Sequence, residues 1–215
     1  MNIGQPAKKI HVTEDKVKSM LRDYGIPTTD FMLIRNEDDL DRTDIKFPAV
    51  LKVCSPDIIH KTDIGGVRLN IMDKEELRKN VIRFSKKFPG KNFLIEGMEP
   101  QGIEMIAGLI HDKSFGLSIM VGMGGIFAEM YGDVAFRLVP ITMRDAEGMI
   151  DELKASKIFK GFRGMKPDKK AVASLLLKLS RIGMDCPSIN QMDLNPVFVY
   201  ENGLKVVDAK LIKGE

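Results

Sequence analysis

An Asn-Gly pair, Asn202-Gly203, lies between two apolar runs near the end of the chain, and this pattern is the strongest short-range signal for a β-hairpin. A two-residue turn at this pair makes Asn195 and Asp208 diagonal neighbours on one face, roughly 7–8 Å apart at Cα. Asp193 falls on the same face because side chains alternate along a strand. Carboxylate and amide oxygens are ligands that Mg²⁺ accepts together with water and phosphates. The spacing predicts either a magnesium site or a hairpin with a polar face and no ligand.

Composition excludes several functions. A chain of 215 residues can form one large domain or two small lobes around a buried core. The net charge of +3 is too small to indicate a nucleic acid or an anionic membrane as partner, and the absence of Trp leaves few stacking platforms. We find no signal peptide and no apolar run long enough to span a membrane. Cys54 and Cys186 are far apart and lack CxxC spacing, which is typical of a reducing compartment. We therefore expect a cytoplasmic protein.

Helical and strand-like patterns alternate along the chain. Thr13 is placed to cap a helix that ends at Gly25, with Val17 and Leu21 on its apolar face. Further helices are predicted at 73–87, 143–155 and 168–182, and strands at 47–53, 66–71, 93–98, 103–110, 117–121, 126–130 and 134–139. The segments 93–98 and 103–110 are expected to pair with each other. This order predicts the α+β class, with mixed or antiparallel sheets and helices packed on them.

A second informative region covers residues 51–67. Lys52 ends an apolar strand, and its ammonium group is suited to a phosphate. Gly65 and Gly66 close the following loop and could let backbone N–H groups approach an anion. His60 is the one histidine of the chain placed in such a loop. The alternative is that His60 is an exposed loop residue and the glycines form an ordinary turn.

Three further charged residues are candidates for ligand contacts. Glu96 and Glu104 lie at strand ends, where a carboxylate can accept hydrogen bonds from ribose hydroxyls or can simply be solvated. Arg137 could contact a phosphate, or it could pair with Asp133 or Glu129.

Taken together, these motifs resemble the ATP-grasp domains of acyl-CoA synthetases that form a nucleoside diphosphate. The resemblance covers about residues 13–212 and includes Lys52 with its glycine loop, 94–96 with Glu104, 193–196 and 207–208. The loop at 55–67 and the segments 122–126 and 133–137 are similar to the ADP-forming acetyl-CoA synthetase (acetate–CoA ligase) branch, and in particular to its small separate beta subunit. Succinyl-CoA synthetase beta subunits share the positions of Lys52, Asn195 and Asp208 but have a different loop and an additional C-terminal domain.

The resemblance implies a fold, a reaction and a set of roles. The fold would be a single ATP-grasp unit over 1–215, with the nucleotide between lobes at about 22–96 and 97–215, and with residues 1–21 packed on the second lobe. The reaction would be acyl-CoA + ADP + phosphate ⇌ acid + ATP + CoA, with ATP or ADP and Mg²⁺ as cofactors. The implied catalytic residue is the phosphohistidine His60, the implied metal ligands are Asn195 and Asp208, and the implied nucleotide-binding residues are Lys52, Gly65, Gly66, Glu96, Glu104 and Arg137.

The resemblance also implies a partner. A separate CoA-binding alpha subunit would form the acyl phosphate, in an α2β2 heterotetramer. Three alternatives remain open: a succinyl-CoA synthetase-like subunit, an ATP-grasp carboxylate–amine ligase with its own acid and amine pockets, and a regulatory nucleotide-binding module without chemistry.

Overall fold

The computed structural model describes residues 9–42, 44–125, 132–161 and 164–214, and these residues form two antiparallel sheets with helices packed on them. The smaller sheet has the strand order β2-β5-β3-β4. Its strands are β2 (Phe31–Ile34), β3 (Ala49–Cys54), β4 (Val67–Ile71) and β5 (Asn92–Gly97).

The larger sheet has seven strands in the described part of the chain, in the order β1-β11-β9-β6-β7-β8, with β10 paired to β9. Its strands are β1 (Ile10–Val12), β6 (Ile103–Asp112), β7 (Gly116–Met123), β8 (Val134–Leu138), β9 (Ile189–Val199), β10 (Leu204–Val206) and β11 (Ala209–Lys213). The first described strand thus pairs with the last one, β1 with β11.

The four helices begin within one residue of their predicted starts, although Thr13, before the first of them, makes no side-chain cap hydrogen bond. They are α1 (Glu14–Asp23), α2 (Lys74–Lys87), α3 (Met143–Glu152) and α4 (Lys169–Asp185), with two short 3₁₀ helices at Glu37–Arg42 and Ser156–Lys160. Asp73 and Asp168 accept hydrogen bonds from backbone N–H groups in the first turns of α2 and α4, and Thr142 forms a capping box at α3. No helix in these ranges is both long and apolar enough to cross a bilayer.

Each sheet has its own hydrophobic core. Helices α1, α3 and α4 pack on one face of the larger sheet, and α2 packs with the 3₁₀ helix at Glu37–Arg42 on the smaller sheet. In the smaller core, Phe84 makes edge-to-face contacts with Phe88 and Phe93 at centroid distances of 5.6 and 6.0 Å. Each such aromatic pair adds about 0.5–1.5 kcal/mol beyond its burial. The predicted α+β class is confirmed.

One pairing prediction is wrong. Strands β5 and β6 do not pair with each other, because β5 lies between β2 and β3 whereas β6 lies between β7 and β9. Alternating hydrophobicity identifies a strand but does not select its partner, and the residues between β5 and β6 form the connection from one sheet to the other. The strand predicted at 126–130 lies outside the described residues.

The C-terminal hairpin turns one residue earlier than predicted. Leu204 lies opposite Val199, and the turn is centred on Glu201-Asn202. Gly203 follows with φ +83°, and its N–H donates to Asp168, the N-cap of α4, at 3.0 Å. This helix cap holds the turn at its observed position.

Moving the turn by one residue shifts the register by two positions and leaves the face of each side chain unchanged. Asn195 therefore lies directly opposite Asp208 rather than diagonal to it, and its N–H donates to the Asp208 carbonyl at 3.1 Å. The two residues share a face as the alternation predicts.

Candidate active site

A cavity of about 410 Å³ lies between the two sheets. Strand β3 contributes Lys52 to its wall, the end of β5 contributes Glu96, and the β9–β11 region contributes Asn195 and Asp208. The loop between β3 and β4, residues 55–66, contributes His60. Helices cover the opposite face of the larger sheet, so the face that lines the cavity is the one left open to a ligand.

Lys52 is the central cation of this cavity. Its side chain is buried, and Nζ lies 2.8 Å from Glu14, 3.0 Å from Glu96 and 3.3 Å from Asp208. It also donates to the Val207 carbonyl at 3.0 Å. Burial alone would lower the pKa of Lys52, but the three carboxylates outweigh it and hold this pKa well above its usual value. The group therefore stays charged.

Two more lysines complete a buried network, here called the lysine cluster: Lys18, Lys52 and Lys61 with Glu14, Glu96 and Asp208. Lys18 is fully buried and contacts Thr29 Oγ1 at 2.7 Å, the Val207 carbonyl at 2.8 Å, Glu14 at 3.0 Å and also Glu96. Burial lowers the pKa of Lys18, and the neighbouring charge of Lys52 adds to this effect. The formal charges of the six groups balance, which reduces the cost of burying them.

Glu14 is the anion that joins the three lysines. Burial would raise the pKa of Glu14, but Lys52, Lys18 and Lys61 together hold it well below the ordinary value of 4.5. From the sequence, no role was assigned to Glu14 or to Lys18. A signal was present: positions 14, 17, 18 and 21 share one helix face, so the face that buries Val17 and Leu21 also buries this ion pair.

His60 is exposed and lies at the boundary between two cavities. The second cavity, also about 410 Å³, lies on the other side of the 55–66 loop, with Cys54, Asp193 and Lys210 among its lining residues. Its position gives the imidazole access to either side. Burial raises the pKa of the Asp193 carboxyl in the second cavity, although Lys210 opposes this.

The two glycines predicted to approach an anion, Gly65 and Gly66, use their backbone N–H groups within the loop. The Gly65 N–H donates to the Thr62 carbonyl at 2.9 Å and the Gly66 N–H to the Lys61 carbonyl at 2.6 Å. Both donors are used to close the loop, and neither glycine lines the cavity. Glycine is required at 66 for packing, since a Cβ there would lie 2.6 Å from Val53 Cγ1.

Asn195 and Asp208 fit a magnesium ion of the kind that takes few protein ligands. Both offer hard oxygens to the cavity that contains Lys52, and Asp208 Oδ1 accepts from both Lys52 and Lys61. Within the described ranges, no group of three or more Asp, Glu, His or Cys side chains could hold a metal by itself. Mg²⁺ commonly keeps water and binds through one or two protein groups plus substrate phosphates.

The other predicted nucleotide contacts are placed differently from the expectation. The carboxylate of Glu96 is buried against Lys18 and Lys52, so it is not free for a ribose. Glu104 lies outside the cavity lining, beside the turn at Gly124, whose N–H donates to the Glu104 carbonyl at 2.7 Å. Glu99, which the sequence did not single out, does line the cavity and pairs with Lys205 at 2.6 Å.

Arg137 is directed away from the cavity. It lies on β8 on the same side as buried Ala135, which is the helix-covered side, and it pairs with Glu152 of α3. The predicted phosphate contact would require Arg137 to leave Glu152. The alternative partner Asp133 accepts from the backbone N–H groups of 154 and 155 instead. Glu129 lies outside the described residues. Strand alternation decides the outcome, because odd-numbered residues of β8 face the helices.

The cavity between the two sheets thus has a buried lysine, Lys52, on one wall and the side-chain oxygens of Asn195 and Asp208 on the other. A family model of the ATP-grasp domain matches residues 5–212, and the chain belongs to the ATP-grasp family.

Within this family, the chain is similar to ADP-forming acetate–CoA ligases. The chain is 40% identical to the beta subunit of the ADP-forming acetate–CoA ligase I of Pyrococcus furiosus, over 94% of this chain and 91% of that protein. It is 42% identical to the ADP-forming acetate–CoA ligase I of Archaeoglobus fulgidus, but spans only 30% of that longer protein.

A solved structure of an acetyl-coenzyme A synthetase is also similar to this chain. The acetyl-coenzyme A synthetase 1 of Ca. Korarchaeum cryptofilum, in complex with coenzyme A and Mg-AMPPCP and with its phosphohistidine segment pointing towards the nucleotide-binding site, superposes with a TM-score of 0.82 at 40% identity. The match covers 94% of this chain and 92% of that one.

Proposed function

We propose that this chain is the nucleotide-binding beta subunit of an ADP-forming acyl-CoA synthetase, and that it transfers a phosphoryl group between a nucleotide and His60. The observation that carries the proposal is the position of His60, on a loop that borders both the Lys52 cavity and a second cavity. The Korarchaeum enzyme, whose phosphohistidine segment points towards its nucleotide site, supports the same assignment.

The nucleotide would bind between the two sheets, with the smaller sheet in a proposed lobe at about 22–96 and most of the larger sheet in a proposed lobe at about 97–215. Lys52 would neutralise the phosphates, and Asn195 and Asp208 would hold Mg²⁺, which supplies further positive charge where negative charge builds up. Glu99 is better placed than Glu96 or Glu104 to accept from the ribose. It lines the cavity, which Glu104 does not, and it pairs with one lysine, whereas Glu96 is buried between two.

In the direction of ATP use, a neutral imidazole nitrogen of His60 attacks the γ-phosphorus. The N–P bond forms as the P–O bond to the β-phosphate breaks, and ADP leaves with the electron pair. In the direction of ATP synthesis, phosphohistidine donates its phosphoryl group to ADP. The full reaction would be acyl-CoA + ADP + phosphate ⇌ acid + ATP + CoA.

The acyl-phosphate step would take place on a separate CoA-binding alpha subunit, in an α2β2 heterotetramer in the cytoplasm. Two comparisons support a partner. The Pyrococcus relative is named a beta subunit. The match covers only 30% of the Archaeoglobus relative, so the larger part of that protein has no counterpart in this chain. The 55–66 loop would carry the phosphoryl group between the subunits.

The test replaces His60 with Asn. His60→Asn should keep nucleotide affinity near that of the wild type and lower acyl-CoA synthesis with the partner at least about 10³-fold, because a nucleophile is lost. His111→Asn is the matched control, since His111 is an exposed histidine on β6 outside both cavities, and it should leave turnover unchanged.

Turnover of the variant, phosphorylation of the wild type and the choice of acid together separate the alternatives. Ordinary turnover by His60→Asn would overturn the relay and favour direct acyl-phosphate formation, as in a carboxylate–amine ligase. Nucleotide binding without any phosphoprotein in the wild type would favour a regulatory module. Turnover with succinate but with no other acid would favour the succinyl-CoA synthetase-like reading.

A further inference from the structure

Within the described residues, two side chains of the loop that carries His60, Asp57 and Lys61, form ion pairs with the rest of the protein, and the two attachments differ in kind. On the solvent side, Asp57 pairs with Lys91 at 2.6 Å, and both side chains are accessible. On the inner side, Lys61 is buried and contacts both Glu14 and Asp208, the latter at 3.0 Å. Exposed pairs contribute little, whereas breaking a buried pair is costly. Lys61 is therefore the stronger of the two attachments.

Lys61 joins parts of the molecule that are distant in sequence. Glu14 belongs to α1, and Asp208 lies between β10 and β11. The Lys61 carbonyl also accepts from the Gly66 N–H at 2.6 Å, which closes the loop on itself. Because consecutive Cα atoms are about 3.8 Å apart, fixing Lys61 limits how far the Cα of His60 can move from the boundary of the two cavities.

The attachment shares an atom with the proposed metal site. Asp208 Oδ1 accepts from Lys61 at 3.0 Å and from Lys52 at 3.3 Å. A divalent cation that binds Asp208 competes with both ammonium groups for this carboxylate and repels them. If Asp208 is lost as a partner, Lys52 still has the carboxylates of Glu14 and Glu96. The ammonium group of Lys61 then has one carboxylate left within the described residues, that of Glu14. The competition therefore weakens the hold on the loop more than the hold on Lys52.

We propose that Lys61 is a positioning residue that latches the His60 loop onto Glu14 and Asp208, and that binding of a metal–nucleotide complex at Asp208 opens this latch. The second half of this statement rests on the function proposed above. The consequence is a coupling: the loop is held in place while the cavity is empty, and it is released when nucleotide and metal are present.

The Gly65 and Gly66 amides report on the latch, because both donate to carbonyls within the loop. Hydrogen exchange of the 55–66 segment is measured on the full chain, with and without Mg-AMPPCP, for the wild type, Lys61→Met, Lys61→Arg and Lys91→Met. Lys91→Met removes the exposed pair on the same loop and is the matched control. Binding of Mg-AMPPCP is measured separately by calorimetry.

Lys61→Met should speed exchange at Gly65 and Gly66 about 10-fold or more, Lys61→Arg should restore slow exchange, and Lys91→Met should resemble the wild type. Mg-AMPPCP should speed exchange in the wild type and add nothing in Lys61→Met. A purely structural role would not produce this dependence on the nucleotide.

Equal exchange in Lys61→Met and Lys91→Met, or unchanged wild-type exchange at saturating Mg-AMPPCP, would overturn the latch. Absence of calorimetric binding would instead overturn the proposed function. If Lys61→Met does not fold, the comparison of wild type with and without Mg-AMPPCP decides the proposal.

Discussion

Replacing Lys18 with Met tests whether the lysine cluster stabilises the fold as a balanced unit. Lys18 is fully buried and contacts Glu14, Glu96, Thr29 and the Val207 carbonyl. Its removal leaves three carboxylates with two lysines in a buried site. Losing one partner of a buried pair costs about 3–5 kcal/mol. For a chain of this size each kcal/mol shifts Tm by about 2–4 °C, so Tm should fall by roughly 6–20 °C.

Thermal unfolding followed by circular dichroism measures the change. Lys16→Met is the matched control, because Lys16 is an exposed lysine on the same helix, and it should alter the free energy of unfolding by less than about 0.5 kcal/mol. A Tm for Lys18→Met within about 2 °C of the control would show that the cluster does not depend on its charge balance.

Two further predictions concern the same site. Asn195→Ala should weaken Mg²⁺-dependent nucleotide binding, measured by calorimetry, at least about 10-fold. Arg137→Ala is the control, because Arg137 lies on the helix-covered side of β8, and it should leave this binding unchanged. Equal effects of the two substitutions would contradict the proposed metal site. Glu14→Gln should make the free energy of unfolding depend less steeply on pH at acid pH. The pKa of Glu14 in the folded state is held below 4.5, so the unfolded state binds more protons as the pH falls. The wild type is therefore stabilised above pH 4.5 and loses this contribution below it. Urea unfolding between pH 2 and 6 checks the difference, and parallel pH profiles for the two proteins would refute it.

Local signals in the sequence predicted much of the fold. The predicted starts at 73 and 168 coincide with Asp73 and Asp168, whose side chains accept hydrogen bonds from backbone N–H groups within the next three residues. Thr13 precedes α1 as predicted but makes no side-chain cap hydrogen bond. The face shared by Asn195 and Asp208 was also predictable, since alternation along a strand survives a register shift of two.

Features set by distant contacts were not predictable. The partners of β5 and β6 depend on how two sheets divide the chain, and the turn at Glu201-Asn202 depends on the cap of α4. The hydrogen bonds by which Gly65 and Gly66 close their own loop were not predictable either, since they depend on the path of the whole 55–66 segment. The ion pairs of Lys18 with Glu96, and of Glu14 with Lys52 and Lys61, bring together residues far apart in sequence, and no local pattern encodes them.

Phosphorylation of the purified chain by ATP tests the central claim most directly. The chain is incubated with γ-labelled ATP and Mg²⁺, and the protein-bound label is examined for stability in acid and base and mapped by peptide analysis. Phosphohistidine predicts a label that is acid-labile and base-stable, that lies on His60, and that is absent without Mg²⁺ or in His60→Asn. Label on another residue, or a wild-type protein that binds Mg-ATP but acquires no label, would contradict the phosphoryl transfer assigned to this chain.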